Sequence, residues 1–370
     1  MSRIFCLLVF FLCLSACGGY GQNVNIERTN TTELVGLIMS GEIIFRLDSL
    51  TSDFFVASQY IPEMSAYSFL SNRKEINIYD YQTGELLDKI PLKIPQPTSY
   101  AFIGTDSVLI LDYESRMLSI CDTQGEVSRT FGIDNGIKYP PLLSITGISP
   151  VVIEGEYVSL FGKIGGGNFD KNDDNRKVLT TINTSSMVTS RSMPYPEIYE
   201  KNWGRGLFSW VYGEYNSNTK RYIFSFPADH YIYVMDSSFS HIDKYYCGST
   251  LIESTQYLRT PKRIPVSSYN ETRHFVETDS YSRIVYDSYN NVYYRFAELK
   301  SKYEGVLGWK KDISVIIMDE NFRVIGETYI GKLSSSFRYG IFVNENGLHL
   351  PKDEKDENVL VFHIYKLSKK

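Results

Sequence analysis

Short runs in which apolar and polar residues alternate recur along most of this chain, separated by turns rich in Asp, Asn, Gly and Ser. Alternation with a period of two marks a strand with one buried face, and two such runs joined by a tight polar turn read as a hairpin. One hairpin phrase appears as "INIYDYQTGELLDKI" at 76–90, "LSICDTQGEVSRTF" at 118–131, "IYVMDSSFSHIDKYY" at 232–246 and "VIIMDENFRVIGETY" at 315–329. Two further short strands stand upstream of each phrase, most clearly in the units 100–131, 210–247 and 283–330. Asp80 and Asp122 are 42 residues apart, the repeat length of a four-stranded propeller blade. The repeated phrase is thus the outer hairpin of a blade.

Degenerate units at 145–193 and 339–367 extend the series. The last lacks a fourth strand, and the orphan "EIIFRL" at 42–47 can supply it, closing the ring without an open edge. The pattern predicts an all-β fold: a six-bladed β-propeller of four-stranded blades closed by an N-terminal strand, with seven blades as the alternative count. Composition agrees, because 14% aromatic residues, among them 29 Tyr and 21 Phe, suit the half-buried surface of strands.

The N-terminus is of another kind. "MSRIFCLLVFFLCLSA" has one Arg and then an apolar stretch too short to span a bilayer, the form of a secretory signal. "LSAC" at 14–17 resembles the bacterial lipobox, which makes Cys17 the expected lipidation site and the membrane a partner through that lipid. The expected division is a signal peptide at 1–16, a Gly- and Asn-rich tether at 17–32 and a single propeller domain at 33–370. No Asp follows Cys17 and only Glu27 is near, which favours the periplasmic face of the outer membrane over the cell surface. Loss of residues 1–16 removes Arg3 and no acid, making a net charge of −5 more negative still; such a chain is a poor nucleic-acid ligand. Beyond Cys6, Cys13 and Cys17, Cys121 and Cys247 remain, at comparable places in separate repeats, and are expected as buried free thiols rather than a disulfide.

With its lipobox, its degenerate blades and the stretch "VYDSYNNVYYRF" at 285–296, the chain resembles the lipoproteins grouped as domain of unknown function 4221, similar to TolB-like six-bladed propellers. The resemblance spans most of residues 30–368. It implies architecture and brings no catalytic residues.

In a blade whose strands run A to D from the centre outward, B-to-C loops and D-to-A links emerge on one face. The long insertions, 162–177, 194–209, 248–282, 300–312 and 351–358, all belong to that set, whereas the opposite turns are tight. Loops on a rigid scaffold tend to carry function, so this face is the candidate surface. "NWGRGLFSW" offers Trp203, Arg205 and Trp210, an aromatic and cationic set that could stack on a sugar or clamp a carboxylate. The link at 248–282 adds Arg259, Lys262 and Arg263, and the loop at 300–312 adds Trp309. Arg295, on the same strand face as Tyr293, is expected either to reach solvent or to join an ion pair between blades. Asp170, Asn172 and Asp174 have calcium-loop spacing, but Asn175 stands where Gly makes the turn and Thr181 where a bidentate Glu belongs, so a solvated loop is expected, with no cofactor and Ca²⁺ only as the weak alternative.

Serine-hydrolase, zincin, P-loop and Cys/His metal motifs are absent from the sequence, and the five His stand singly. The functional expectation is a lipid-anchored binding or scaffold module of the cell envelope with a protein or glycan partner. The alternative is a propeller hydrolase or lyase acting on a glycan or peptide.

Overall fold

The computed structural model describes residues 34–369 other than 56, 113, 134–141, 145–146, 164–175, 205, 262–265 and 306–307. Cys17 and the signal and tether segments lie outside the described residues, as do Arg205, Lys262, Arg263 and the candidate calcium residues Asp170, Asn172 and Asp174.

Six antiparallel sheets follow one another along the chain. The first strand, β1 (Val35–Arg46), belongs to the last of them. Blade 1 is β2 (Ser58–Ile61), β3 (Ala66–Ser71), β4 (Glu75–Asp80) and β5 (Leu86–Pro91); blade 2 is β6 (Pro97–Phe102), β7 (Ser107–Asp112), β8 (Met117–Asp122) and β9 (Val127–Gly132). In blade 3, β10 (Leu142–Ser144) and β11 (Val151–Glu154) both pair with β12 (Tyr157–Lys163), followed by β13 (Lys177–Asn183) and β14 (Thr189–Pro194). Its innermost strand, expected as one run, is therefore broken in two. Blade 4 is β15 (Tyr212–Asn216), β16 (Arg221–Ser225), β17 (Tyr231–Asp236) and β18 (Ile242–Tyr246); blade 5 is β19 (Ser280–Asp287), β20 (Val292–Leu299), β21 (Lys310–Met318) and β22 (Val324–Ser334). Blade 6 is β23 (Phe342–Asn344), β24 (Gly347–Pro351) and β25 (Val359–Lys369), completed by β1 as its outermost strand. The orphan strand closes the ring as expected, and it is longer than its sequence pattern indicated.

Six apolar clusters fill the seams, one between each pair of neighbouring blades. Period-two alternation explains them. On β7, Val108 and Ile110 face blade 1 while Leu109 and Leu111 face blade 3. On β20, Tyr294 and Phe296 face blade 6 and Tyr293 and Ala297 face blade 4. A strand buried on both sides has no polar face to spare, and this is where the aromatic residues are spent. Cys121 and Cys247 sit in different seams as buried free thiols, with burial raising them to about 11 and about 12.

The repeated Asp has a local function. Asp80 accepts from the amide and hydroxyl of Thr83, Asp122 from the amides of Gln124 and Glu126, and Asp319 from those of Asn321 and Arg323. Each organises its turn as an Asx-type motif, which a residue with positive φ completes: Gly84 (72°), Gly125 (75°) or Phe322 (62°). At Gly84 a Cβ would stand 1.9 Å from the Ile44 carbonyl oxygen on β1, so the glycine also permits close approach of blade 1 to the closing strand.

Candidate functional site

Four of the five expected insertions, 194–209, 248–282, 300–312 and 351–358, emerge on one face; the fifth, 162–177, lies mostly outside the described residues. The link between blades 3 and 4 folds into two 3₁₀ turns, Glu197–Glu200 and Leu207–Ser209, and the link between blades 4 and 5 carries helix α1 (Ser268–Val276). Ser267 caps α1 by accepting from the Asn270 amide at 3.3 Å. The two links share an aromatic roof. Trp203 packs on Phe208 at 5.0 Å between ring centroids, Phe208 on Phe275 at 5.0 Å, and Phe275 on Trp309 at 5.4 Å.

Beneath this roof lies a buried charged cluster. Glu298, at the end of β20, and Arg338, in the link between blades 5 and 6, form a two-bonded ion pair: Arg338 Nε donates to Glu298 Oε1 at 2.6 Å and Nη2 donates to Oε2. Burial opposes ionisation of Glu298, but the charge and N–H donors of Arg338 hold its carboxyl below the usual range. The Arg338 guanidinium lies 4.8 Å from the Trp309 ring centroid, so the pair also supports the roof. Lys311, fully buried, donates to the carbonyls of Phe275 (3.1 Å) and Thr278 (2.7 Å) and to Ser280 Oγ (3.1 Å). It thereby places a cation at the C-terminus of α1, where the helix dipole favours one.

Burial pushes the Lys311 ammonium down to about 7, against the pull of Glu298. Between that value and the 10.5 of an exposed lysine, the unfolded chain binds more protons than the folded one, so Lys311 makes stability rise with pH across this window. Denaturation midpoints of Lys311→Met should therefore climb less between about pH 7 and pH 9 than those of the native chain. A slope unchanged by the substitution would refute this.

The predicted site residues scatter. Trp203 is 3% exposed, and its indole N–H donates to the Ile198 carbonyl at 2.9 Å, so it is a core residue and not a free stacking surface. The link folds back over the seam between blades 3 and 4, and the indole is the largest apolar group available to fill it. Arg295 reaches neither solvent nor a carboxylate. It is fully buried and donates to Ser225 Oγ and to the carbonyls of Asp229, His230 and Cys247, with the Tyr281 ring 4.0 Å from its guanidinium carbon. Trp210 and Trp309 are half-buried; Lys163 Nζ stands 4.4 Å from the Trp210 ring centroid. Arg259 is exposed. Missed from sequence were Glu298, Lys311 and Arg338, whose only signal was a charged residue at the end of an otherwise apolar strand or link.

Two surface cavities open on the long-loop face. One of about 440 Å³ is lined by Leu258, Thr260, Val266, Arg273, His274 and Glu277 beside α1. Another, of about 320 Å³, lies between Phe54, Phe55 and the strand ends around Pro351 and Phe362. Exposed apolar and aromatic side chains flank them, with Phe54 66%, Tyr257 49% and Tyr269 54% accessible. Among the described residues no group of three or more His, Cys, Asp and Glu is arranged to hold a metal ion.

This is a six-bladed β-propeller whose long connections gather on one face. The profile of the family described as Domain of unknown function (DUF4221) matches residues 35–329, and the chain belongs to that family. The crystal structure of a DUF4221 member from Bacteroides vulgatus is similar, with a TM-score of 0.78 at 23% identity, covering 91% of this chain and 99% of that one; at this identity the likeness concerns the fold. No curated protein sequence matches the chain.

Proposed function

We propose that the protein is a lipid-anchored binding or scaffold module of the cell envelope that docks a protein or glycan partner on its long-loop face. The observation that carries this is convergence: four long insertions, two cavities and the exposed Phe54, Tyr257 and Tyr269 share that face. Tyr and Trp at the centre of an interface supply much of its binding energy. Of the acid and base groups beneath the face, the buried Glu298 and Arg338 are spent on each other and the buried Lys311 on backbone carbonyls and Ser280 Oγ, which favours binding over the hydrolase or lyase alternative.

Crosslinking and pull-down from the native envelope tests the docking surface. Combined Phe54→Ala, Tyr257→Ala and Tyr269→Ala should abolish partner recovery while leaving thermal unfolding unchanged, because all three side chains are exposed. Trp203→Ala should instead cost about 3–5 kcal/mol of stability, as truncation of a buried aromatic does. Recovery that survives the triple substitution but is lost on changing Thr83 or Gln124, in the short turns, would place the docking site on the opposite face. Anchoring through Cys17 and a periplasmic outer-membrane location belong to the same proposal and rest on the sequence. Cys17→Ala should release the protein into the soluble periplasmic fraction, and continued membrane association would overturn the anchor.

A further inference from the structure

Four cations among the described residues are nine-tenths or more buried: Arg283, Arg295, Lys311 and Arg338. Three are saturated. Arg338 has Glu298 and the Ser335 carbonyl, Lys311 has three oxygen acceptors, and Arg295 has Ser225 Oγ and a ring of carbonyls. Arg283 differs. Its one described hydrogen bond is a long one, Nη2 to the Ile341 carbonyl at 3.4 Å, and its Nε is buried without an acceptor among the described residues. A guanidinium taken out of water with its donors unspent is costly, and a buried polar group left in that condition calls for a missing partner.

The position of Arg283 shows where that partner would come from. Pairing of β19 with β20 slips between Tyr281 and Ile284, so Ser282 and Arg283 form a bulge on the innermost strand of blade 5. Bulges re-aim side chains and recur beside functional sites. From this bulge Arg283 reaches Ile341, just ahead of β23 in blade 6, and its charge acts on Glu214 and Tyr212 of β15, the innermost strand of blade 4. Three inner strands thus meet at this guanidinium, and inner strands ring the central channel of a propeller. Because β19 starts on the long-loop face, the bulge lies in that half of the channel.

We propose that the central channel binds a small monocarboxylate at the level of the β19 bulge, held by the guanidinium of Arg283. The planar edge of a guanidinium offers parallel N–H groups that match the two oxygens of a carboxylate. Charge sets the limit of one. Arg338 is neutralised by Glu298, and the donors of Arg295 and Lys311 are taken up by carbonyls and hydroxyls, so Arg283 is the one of the four with donors to spare, and the nearby Glu214 opposes any further negative charge. Burial raises Glu214 to about 7 and Arg283 pulls it back, so below that value the acid is largely neutral and the site is at its most receptive.

The site is independent of the docking face, and its test does not use the envelope partner. The full chain is titrated with acetate, and separately with sulfate as a dianion, at constant ionic strength and about pH 6, where acetate is ionised. Calorimetry and the shift of the unfolding midpoint are read together. Acetate should bind saturably at one site, and sulfate more weakly. Arg283→Met should weaken acetate binding by about tenfold or more, while Arg323→Met, exposed in the short turn between β21 and β22, should leave it unchanged. Arg283→Lys, which keeps the charge without the planar fork, and Arg283→Gln, which keeps N–H donors without the charge, should both weaken it, and they carry the test if Arg283→Met does not fold. Absence of saturable acetate binding, sulfate binding as tightly as acetate, or native affinity in both Arg283→Lys and Arg283→Gln would each overturn the proposal.

Discussion

Arg338→Met should lower the stability of the propeller by about 3–5 kcal/mol, read as a fall in the denaturation midpoint without loss of secondary structure. The reason is the state in which the substitution leaves Glu298. That carboxylate is fully buried and its charge is held by two guanidinium bonds, so removing the arginine strands an anion away from water. Lys311 nearby offsets only part of the loss, because its protons are committed to the carbonyls of Phe275 and Thr278 and to Ser280. Replacing both partners, Glu298→Leu with Arg338→Met, should recover most of the lost stability, since a buried pair exchanged for apolar residues is often neutral or better. If the single and double variants lose the same amount, the energy lies in the packing of Arg338 on Trp309 and Phe337 and not in the charge.

Removal of β1 should have the larger effect and abolish cooperative unfolding. The strand makes eleven register pairs with β25, and it contributes Leu37 to the seam between blades 5 and 6 and Phe45 to the seam between blades 6 and 1. A chain starting at Leu47 would expose β25 as an unpaired edge, a template for association with another copy. Aggregation, or a broad transition without a folded baseline, is the expected result; a sharp monomeric transition would show that the ring closes without its outer strand. Gly84→Ala probes the same seam by a point change. Its φ of 72° alone costs an L-residue about 1–2 kcal/mol. The new Cβ would also meet the Ile44 carbonyl, so the loss should exceed what the same substitution costs at Gly155, where φ is 57° and no atom lies near.

The architecture was legible in the sequence because it is built from local signals. Period-two alternation placed the strands, the Asp of the repeated phrase marked the outer hairpins, and the spacing of Asp80 and Asp122 set the blade length. The unpaired "EIIFRL" near the N-terminus even identified the closing strand, since a blade with three strands needs a fourth. The one-sidedness of the long insertions followed from strand order alone. Each of these depends on residues close in the chain, where backbone geometry ties pattern to conformation directly.

The site was legible only in outline, because its chemistry depends on which blades become neighbours. Trp203 and Trp309 look alike in sequence, as aromatic residues in Gly-containing loops; the fold of the links over the core buries the first and leaves the second half-exposed. Glu298 and Arg338 are 40 residues apart and meet across the junction of blades 5 and 6. Arg295 and Arg283 sit on adjoining strands of blade 5 with similar burial, yet one is ringed by carbonyls and the other, re-aimed by a bulge, is not. Whether a charge inside a protein is satisfied depends on the atoms that long-range packing brings within about 3 Å. Alternation along a strand can tell only which side of a blade a residue faces; the tertiary structure decided what waits there.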